Sequence, residues 1–285
     1  MVETANPLNK YYRQPAIYIT LPTKGRFYNA DVYTPTETGE IPVLPMTAKD
    51  EMAFKTPDAM INGQATVDVI KSCYPNILDP WQLTNYDLDI VLLAIRIASY
   101  GETMDINATV PVINEQITHT VNLPALLENV KNIEIQDSFK TKNGFTVFVK
   151  PLTYKDITNT QTKTFEQQKI VASVTTSTLS QEEKSKRYSE SYQKLTQLNF
   201  EVMNTSFTKI ITPEGTEVSN SDQIIEFLSN AESKIVNEMQ EQMIMLRSQA
   251  QIKPITLKSN EEQIKKGAPV SYTIPLTFDN SNFFV

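Results

Sequence analysis

Residues 84–101 read Thr-Asn-Tyr-Asp-Leu-Asp-Ile-Val-Leu-Leu-Ala-Ile-Arg-Ile-Ala-Ser-Tyr-Gly and form the clearest helical pattern in the chain. Thr84 or Asn85 can accept the first backbone N–H groups of a helix, and Gly101 is a favourable residue just after its end. Apolar side chains occupy nearly the whole circumference, which is typical of a helix enclosed in a core. The pattern therefore predicts a buried helix from about residue 86 to residue 100.

An extended segment and several short helices precede this helix. Residues 16–21 (Ala-Ile-Tyr-Ile-Thr-Leu) are β-branched and aromatic and predict a strand, and residues 40–44 predict a second strand at a sheet edge. Thr47 and Asp50 have the spacing of a capping box, the reciprocal hydrogen bonding that starts a helix. Two further short helices are expected within residues 57–74.

Alternating patterns, typical of strands, follow the helix. Residues 105–110 and 118–123 predict a hairpin with a long connecting loop, and residues 123–130 predict a short helix. A second hairpin is expected between residues 133–140 and 145–150, because an Asn-Gly turn lies between them.

The chain beyond Pro151 has a mostly helical pattern. Capping-box spacing at Thr153 and Asp156, and again at Ser180 and Glu183, predicts the starts of two helices. A small hairpin is expected over residues 207–218. A helix pair follows, with apolar residues along one side that include Met239 and Met243, and it ends at Pro254.

These elements predict a mainly α-helical α+β protein with an extended N-terminal segment and two helical units, each associated with β-hairpins. The predicted segments are residues 1–45, 46–150 and 151–285. Residues 45–50 and 151–156 share the pattern Pro-x-Thr-x-Lys-Asp. This echo leads to the hypothesis that the two units arose by internal duplication, although the pattern is also what helix starts generally prefer.

The composition excludes several classes of function. One cysteine rules out an internal disulfide or a thiolate zinc cage, and one histidine rules out multi-histidine metal sites. The seven glycines form no phosphate-binding loop motif, so no cofactor is expected. The net charge of −7 disfavours nucleic-acid binding. No segment has the length and apolar character of a membrane span or signal peptide, so we expect synthesis and residence in the cytoplasm and no membrane partner.

No group of residues predicts a catalytic site. His119 alternates with threonines and is expected on the same strand face as Ile117 and Val121, as a packed or edge residue. Cys73 fits a small core position. Asp87 is expected near a helix N-terminus, where the helix dipole favours a negative charge. The chain is therefore predicted not to be an enzyme, with His119 the residue on which any unrecognised activity would depend.

The residues predicted to contact partners fall in three places. A loop combines positive charge with aromatic rings, which suits a protein interface and, less well, a phosphate group or nucleic acid. The methionine-bearing helix offers either ordinary core or the wall of a groove for partner helices. Aromatic residues close the chain, and a partner can anchor them. The predicted contact residues are Lys24, Arg26, Phe27 and Tyr28 in the loop, Met239 and Met243 in the helix, and Phe283 and Phe284 in the tail.

An ordered series of short motifs runs through the chain: 21–28 (Leu-Pro-Thr-Lys-Gly-Arg-Phe-Tyr), 42–51 (Pro-Val-Leu-Pro-Met-Thr-Ala-Lys-Asp-Glu), 55–59 (Lys-Thr-Pro-Asp-Ala), 62–63 (Asn-Gly), 69–72 (Val-Ile-Lys-Ser), 79–80 (Asp-Pro), 94–101 (Ala-Ile-Arg-Ile-Ala-Ser-Tyr-Gly) and 278–284 (Phe-Asp-Asn-Ser-Asn-Phe-Phe). This series resembles the baseplate protein family of T-even-type contractile-tailed bacteriophages. The motifs cover roughly the first hundred residues and the tail, and residues 130–265 carry no such motif.

The resemblance implies a small non-enzymatic baseplate hub protein that associates with other hub proteins and the tape-measure protein. Two roles remain open: a hub component that stays in the virion tail, or an assembly chaperone absent from the finished particle. Some family members carry Cys-x-x-Cys pairs in the positions of residues 110–114 and before Tyr272, which implies a zinc-ribbon hairpin. This chain lacks those cysteines, so apolar packing and strand hydrogen bonds are expected to hold its hairpins without metal.

Overall fold

The computed structural model describes residues 6–54, 63–131, 134–249 and 252–276. In chain order, the helices are α1 (Ala48–Phe54), α2 (Gln64–Cys73), α3 (Asn85–Tyr100), α4 (Leu123–Lys131), α5 (Tyr154–Thr176), α6 (Gln181–Ser206), α7 (Ser221–Asn230), α8 (Ser233–Gln249) and α9 (Glu261–Lys265). The strands are β1 (Ile17–Ile19), β2 (Ile41–Val43), β3 (Thr103–Val110), β4 (Glu115–Asn122), β5 (Ser138–Lys140), β6 (Thr146–Val149), β7 (Phe207–Ile211), β8 (Glu217–Val218), β9 (Ile255–Lys258) and β10 (Ser271–Ile274). The prediction of a mainly helical α+β protein is confirmed.

The chain forms two compact units. Unit 1 contains the described parts of residues 1–80, 87–133 and 251–285, and unit 2 contains residues 81–86 and 134–250. The sequence segments bounded at residues 45 and 150, and the duplication hypothesis, stay predictions. The short helix expected at 57–62 lies outside the described residues.

Unit 1 is organised around the buried residues of α3. Val91, Leu93 and Ile95 have no exposed surface. The hydroxyl of Tyr74 donates to the Val91 carbonyl at 3.0 Å, which satisfies the polar end of a fully buried ring. The predicted buried helix is confirmed, and it begins one residue earlier than predicted, at Asn85.

The two-stranded sheets of unit 1 follow the predicted strands. β1 pairs antiparallel with β2, and β3 pairs antiparallel with β4 over eight residues from each strand. The loop between β3 and β4 is only residues 111–114, so the prediction of a long loop is wrong. The strands begin earlier than the alternating pattern, at Thr103 and Glu115. In the added part of β4, the Gln116 amide donates to the Thr109 hydroxyl on β3 at 2.8 Å.

The tip of this hairpin shares an apolar cluster with the sheet formed by β9 and β10. The buried members of the cluster are Val110, Leu257, Ala268 and Tyr272. The two places where the family resemblance put metal-binding hairpins therefore lie together in this protein, and apolar side chains pack there.

Unit 2 contains a four-stranded antiparallel sheet in the order β5-β6-β7-β8. Its centre joins β6 to β7, so two hairpins that were predicted separately form one sheet. Helices α7 and α8 supply most of the helical side chains that pack on it, among them Ile224, Leu228, Met239 and Met243.

The predicted capping boxes of unit 2 are confirmed. Asp156 accepts from the backbone N–H and the hydroxyl of Thr153 at 3.1 and 2.7 Å, and Ser180 with Glu183 repeats the arrangement at the start of α6. Residues 81–86 pack at the start of α5, where the Trp81 ring stacks on Tyr154 with centroids 5.3 Å apart.

Candidate interaction site

The predicted contact loop, residues 21–28, is a series of tight turns. The N–H of Lys24 donates to the Leu21 carbonyl at 2.9 Å, and the N–H of Tyr28 donates to the Gly25 carbonyl at 3.0 Å. Gly25 has φ +77°, and a Cβ at this position would lie 2.8 Å from the Tyr33 ring. Glycine is required here for both reasons, because a side chain would strain the backbone and collide with the ring.

A fully buried carboxylate fastens this loop to α3. Asp87 has 0% exposed surface and accepts from the N–H of Thr23 at 3.0 Å, from the Thr23 hydroxyl at 2.5 Å and from the Tyr28 hydroxyl at 2.5 Å. Burial raises the pKa of Asp87 to about 6, and the hydrogen bonds from Thr23 and Tyr28 oppose that rise. Near neutral pH the carboxylate is therefore mainly ionised, and charge-assisted hydrogen bonds hold the loop.

Because Asp87 holds the loop from its buried side, the cationic side chains of the loop are presented to solvent. Lys24 and Arg26 are exposed, and the Arg26 guanidinium lies over the Phe27 ring, 4.8 Å from its centroid. Phe27 and Tyr28 are half-buried. The loop thus presents exposed cationic side chains and an aromatic edge on a backbone that does not have to be ordered when a partner binds.

The surrounding sequence is uniformly positive. Residues 4–30 contain Lys10, Arg13, Lys24 and Arg26 and no acidic residue, whereas the whole chain carries a net charge of −7. Lys10 and Lys24 of this segment are exposed, and exposed cations favour contact with an acidic surface.

Arg13 anchors the N-terminal part of this positive segment on unit 1. Its guanidinium donates to the Pro45 carbonyl at 2.7 Å and the Ser72 carbonyl at 2.6 Å, and it contacts the Asp50 carboxylate at 3.3 Å. Asp50 also accepts from the N–H and hydroxyl of Thr47, the predicted cap of α1.

The anchored segment leaves large aromatic rings in solvent. Tyr11 and Tyr12 directly precede Arg13 and are exposed, as is Tyr18 in β1. Tyrosine and arginine are enriched at protein interfaces, because they combine contact area with directional hydrogen bonds. The segment is therefore suited to contact another protein.

The structure buries Met239 and Met243. Met239 and Met243 are 0% and 3% exposed and belong to the core of unit 2. The interpretation of these side chains as the wall of a partner groove is therefore wrong, and the core interpretation holds, because α8 turns this side toward the sheet. Phe283 and Phe284 lie outside the described residues.

The two residues considered as reactive groups, His119 and Cys73, lie within the folded structure of unit 1. His119 is half-buried in β4, on the face shared with Ile117 and Val121, and lies opposite Ile106. Cys73 is buried, and burial raises the pKa of its thiol to about 12, which keeps it protonated. Within the described ranges, no group of three or more histidine, cysteine, aspartate or glutamate side chains is arranged to hold a metal ion. None of the helices in that part of the chain is long and apolar enough to cross a membrane.

Sequence reasoning missed the role of Asp87. It was expected as a partner of the helix dipole, but its carboxylate is enclosed and holds a loop 64 residues away in the chain. The available signal was an aspartate within an almost continuously apolar helix, since a buried charge requires partners.

A rigid, positively charged and aromatic loop beside an anchored segment of exposed tyrosines indicates a protein that works by contacting other macromolecules. The chain belongs to the T4 bacteriophage base plate protein family, whose model matches residues 28–266. It is thus a structural component of a bacteriophage tail baseplate that interacts with other tail or baseplate proteins. No curated protein and no solved structure matched the chain.

Proposed function

We propose that this chain is a non-enzymatic component of the baseplate hub and binds other hub proteins and the tape-measure protein through the loop at residues 21–28. The observation that carries the proposal is the buried carboxylate of Asp87, which fixes Thr23 and Tyr28 and so holds Lys24 and Arg26 outward. Ordering a loop costs binding free energy, and here most of that cost is met during folding.

The charge of the loop indicates what kind of surface it binds. The exposed Lys24 favours a partner that presents carboxylates, and electrostatic attraction of this kind mainly raises the rate of association. The contact should therefore weaken as the salt concentration rises. The Phe27 ring beside the Arg26 guanidinium adds apolar area to the same contact.

The non-enzymatic part of the proposal rests on the environment of the reactive side chains. The imidazole of His119 lies within a strand and the thiol of Cys73 is enclosed, so neither is presented as a nucleophile or general base. The structural argument for a chaperone depended on an exposed methionine groove, and Met239 and Met243 are core residues. The proposal is therefore a subunit that remains in the virion tail.

The test is the number of copies in purified virions, measured by quantitative mass spectrometry against known hub proteins and against a lysate of infected cells. The variant K24E/R26E reverses both loop charges. The control K49E/K71E makes the same charge change at exposed positions of α1 and α2.

We expect wild type and control at a simple ratio to hub subunits and a loss of at least tenfold for the loop variant. Unchanged incorporation of K24E/R26E would contradict the role of the loop. Abundance of the wild-type chain in lysate with absence from virions would contradict the structural role and establish an assembly factor.

A further inference from the structure

A cavity in unit 2 has walls made of apolar side chains, and we call it the β7–α7 cavity. Ile210 and Val218, register partners in β7 and β8, line it from the sheet, and Ile224 and Phe227 line it from α7. Phe145 completes the apolar lining, with its ring centroid 5.4 Å from that of Phe227. The cavity has a volume of about 280 Å³. Because an apolar cavity of about 150 Å³ can bind benzene, this one has room for a large apolar side chain.

The β7–α7 cavity is accessible from solvent. Gln223, which also lines it, is exposed, and the rings of Phe145 and Phe227 are only half-buried. Apolar walls that water can reach forgo the stabilisation of burial, which is worth about 25 cal/mol for each Å². A larger apolar residue at position 223 would recover part of it, since filling a cavity commonly stabilises a fold. An accessible apolar cavity is characteristic of a binding site.

The two charged residues of β7 and β8 lie away from the cavity. Side chains alternate between the two faces of a sheet, so Ile210 and Val218 lie on the cavity face and their neighbours Lys209 and Glu217 lie on the other. Lys209 and Glu217 form an ion pair at 3.4 Å on that other face. Their charges therefore do not set the charge around the cavity.

The part of α7 beside the cavity is acidic. Asp222 and Glu226 are exposed and lie one helical turn apart. They form the stripe of α7 next to the stripe that holds Gln223 and Phe227, because residues four apart lie on the same side of a helix. Two carboxylates thus border the cavity on the helix side.

The turns beside the cavity leave this border acidic. Glu214 is exposed in the turn that follows β7, and residues 212–233 contain five acidic residues and no lysine, arginine or histidine. Lys142, in the turn that precedes Phe145, is the one basic residue that these two turns and α7 contribute. Three acidic side chains therefore border the cavity against one lysine.

We propose that the β7–α7 cavity receives a large apolar side chain from another baseplate protein, on a segment that also carries lysine or arginine. The acidic border favours a basic segment. It disfavours a second copy of this chain, since two copies that each carry a net charge of −7 repel. The basic loop of a second copy is also unsuitable, because Phe27 is half-buried within its own fold. The proposal goes beyond the hub function: it requires a partner within the baseplate but neither the loop at residues 21–28 nor a hub location.

Filling the cavity should change stability and assembly in opposite directions. Q223W adds an indole ring at the cavity, so the melting temperature of the purified full chain should hold or rise while the copies per purified tail fall at least tenfold. The matched control Q223A removes the native side chain without filling the cavity and should leave incorporation unchanged. Normal incorporation of Q223W would overturn the proposal.

The charge of the border is tested separately. E214K/E226K reverses two exposed charges at the border, and the control E166K/E190K makes the same change at exposed positions of α5 and α6. We expect at least a tenfold loss of incorporation for the border variant and none for the control. Equal incorporation of the two variants would refute the proposed basic partner.

Photo-crosslinking identifies the partner directly. A photoreactive residue placed at position 223 in infecting phage should form a crosslink to a different baseplate chain, at an apolar residue close to a lysine or arginine. The absence of a crosslink in intact tails, or a crosslink only to a second copy, would contradict the proposal. A loss with Q223W alongside normal incorporation of K24E/R26E would reject the loop function and leave this docking cavity standing, and the reverse result would reject the cavity alone.

Discussion

The buried carboxylate of Asp87 should make the stability of the protein depend on pH in a direction opposite to that of an ordinary ion-paired aspartate. Its pKa is about 6 in the folded protein and 3.8 for a free aspartate. The folded state therefore binds this proton more tightly than the unfolded chain. Its contribution to the free energy of unfolding is fully present below pH 4 and is lost as the pH rises through 6.

The magnitude follows from the size of the pKa change. Each tenfold change in proton affinity is worth about 1.4 kcal/mol, so the rise from 3.8 to about 6 corresponds to about 3 kcal/mol. The substitution D87N abolishes the titration and preserves the hydrogen bonds. The amide oxygen can accept from the Thr23 N–H, and the hydroxyls of Thr23 and Tyr28 can turn to accept from the amide nitrogen.

Denaturant unfolding of the full chain at pH values from 4 to 7.5 measures this effect. The free energy of unfolding of wild type minus that of D87N should increase by about 3 kcal/mol as the pH falls across this range. Burial also raises the pKa of Asp89, to about 6, but Asp89 is present in both proteins and its contribution cancels. A difference that stays constant with pH would refute the assignment of an elevated pKa to Asp87.

Two further predictions concern the support of the loop and the core. G25A should lower the free energy of unfolding by about 3 kcal/mol, because it combines a left-handed φ with a Cβ 2.8 Å from the Tyr33 ring. The control G39A has φ +76° with open space around it and should cost only about 1 kcal/mol in the same denaturant assay. Equal losses would show that the ring imposes no constraint. M239A should lower the free energy of unfolding by about 2–5 kcal/mol, because it leaves a cavity in the core. M245A, at a position 51% exposed, should lower it by less than about 0.5 kcal/mol. A small loss for M239A would restore the surface interpretation.

Local signals in the sequence predicted most helices and several strands. The cap at Thr153 and Asp156 is formed by residues three apart, so the sequence shows it directly. The pairing of β6 with β7 was not predictable in this way, because Val149 and Phe207 are register partners far apart in the chain. Periodicity identifies a strand but carries no information on which distant strand pairs with it.

The candidate site was likewise predictable only in part. The composition of the loop, with Lys24 and Arg26 beside aromatic residues, was visible in the sequence. The carboxylate that holds it was not recognised, because the donors of Thr23 and Tyr28 meet Asp87 only in the folded chain. For Met239 the helical stripe fitted both core and groove, and only the position of the neighbouring sheet distinguished them.

Helices α5 and α6 connect β6 to β7, and the connection starts and ends at almost one point of the sheet of unit 2. Val149 at the end of β6 is the register partner of Phe207 at the start of β7, and the Lys150 N–H donates to the Ser206 carbonyl at 2.8 Å. The 57 residues between Val149 and Phe207 consist mainly of an antiparallel pair of helices, each about 35–39 Å long, with mostly exposed side chains. Whole turns can therefore be gained or lost in both helices beyond their base without moving a strand. During evolution the length of the α5–α6 pair can change while the sheet of unit 2 stays the same.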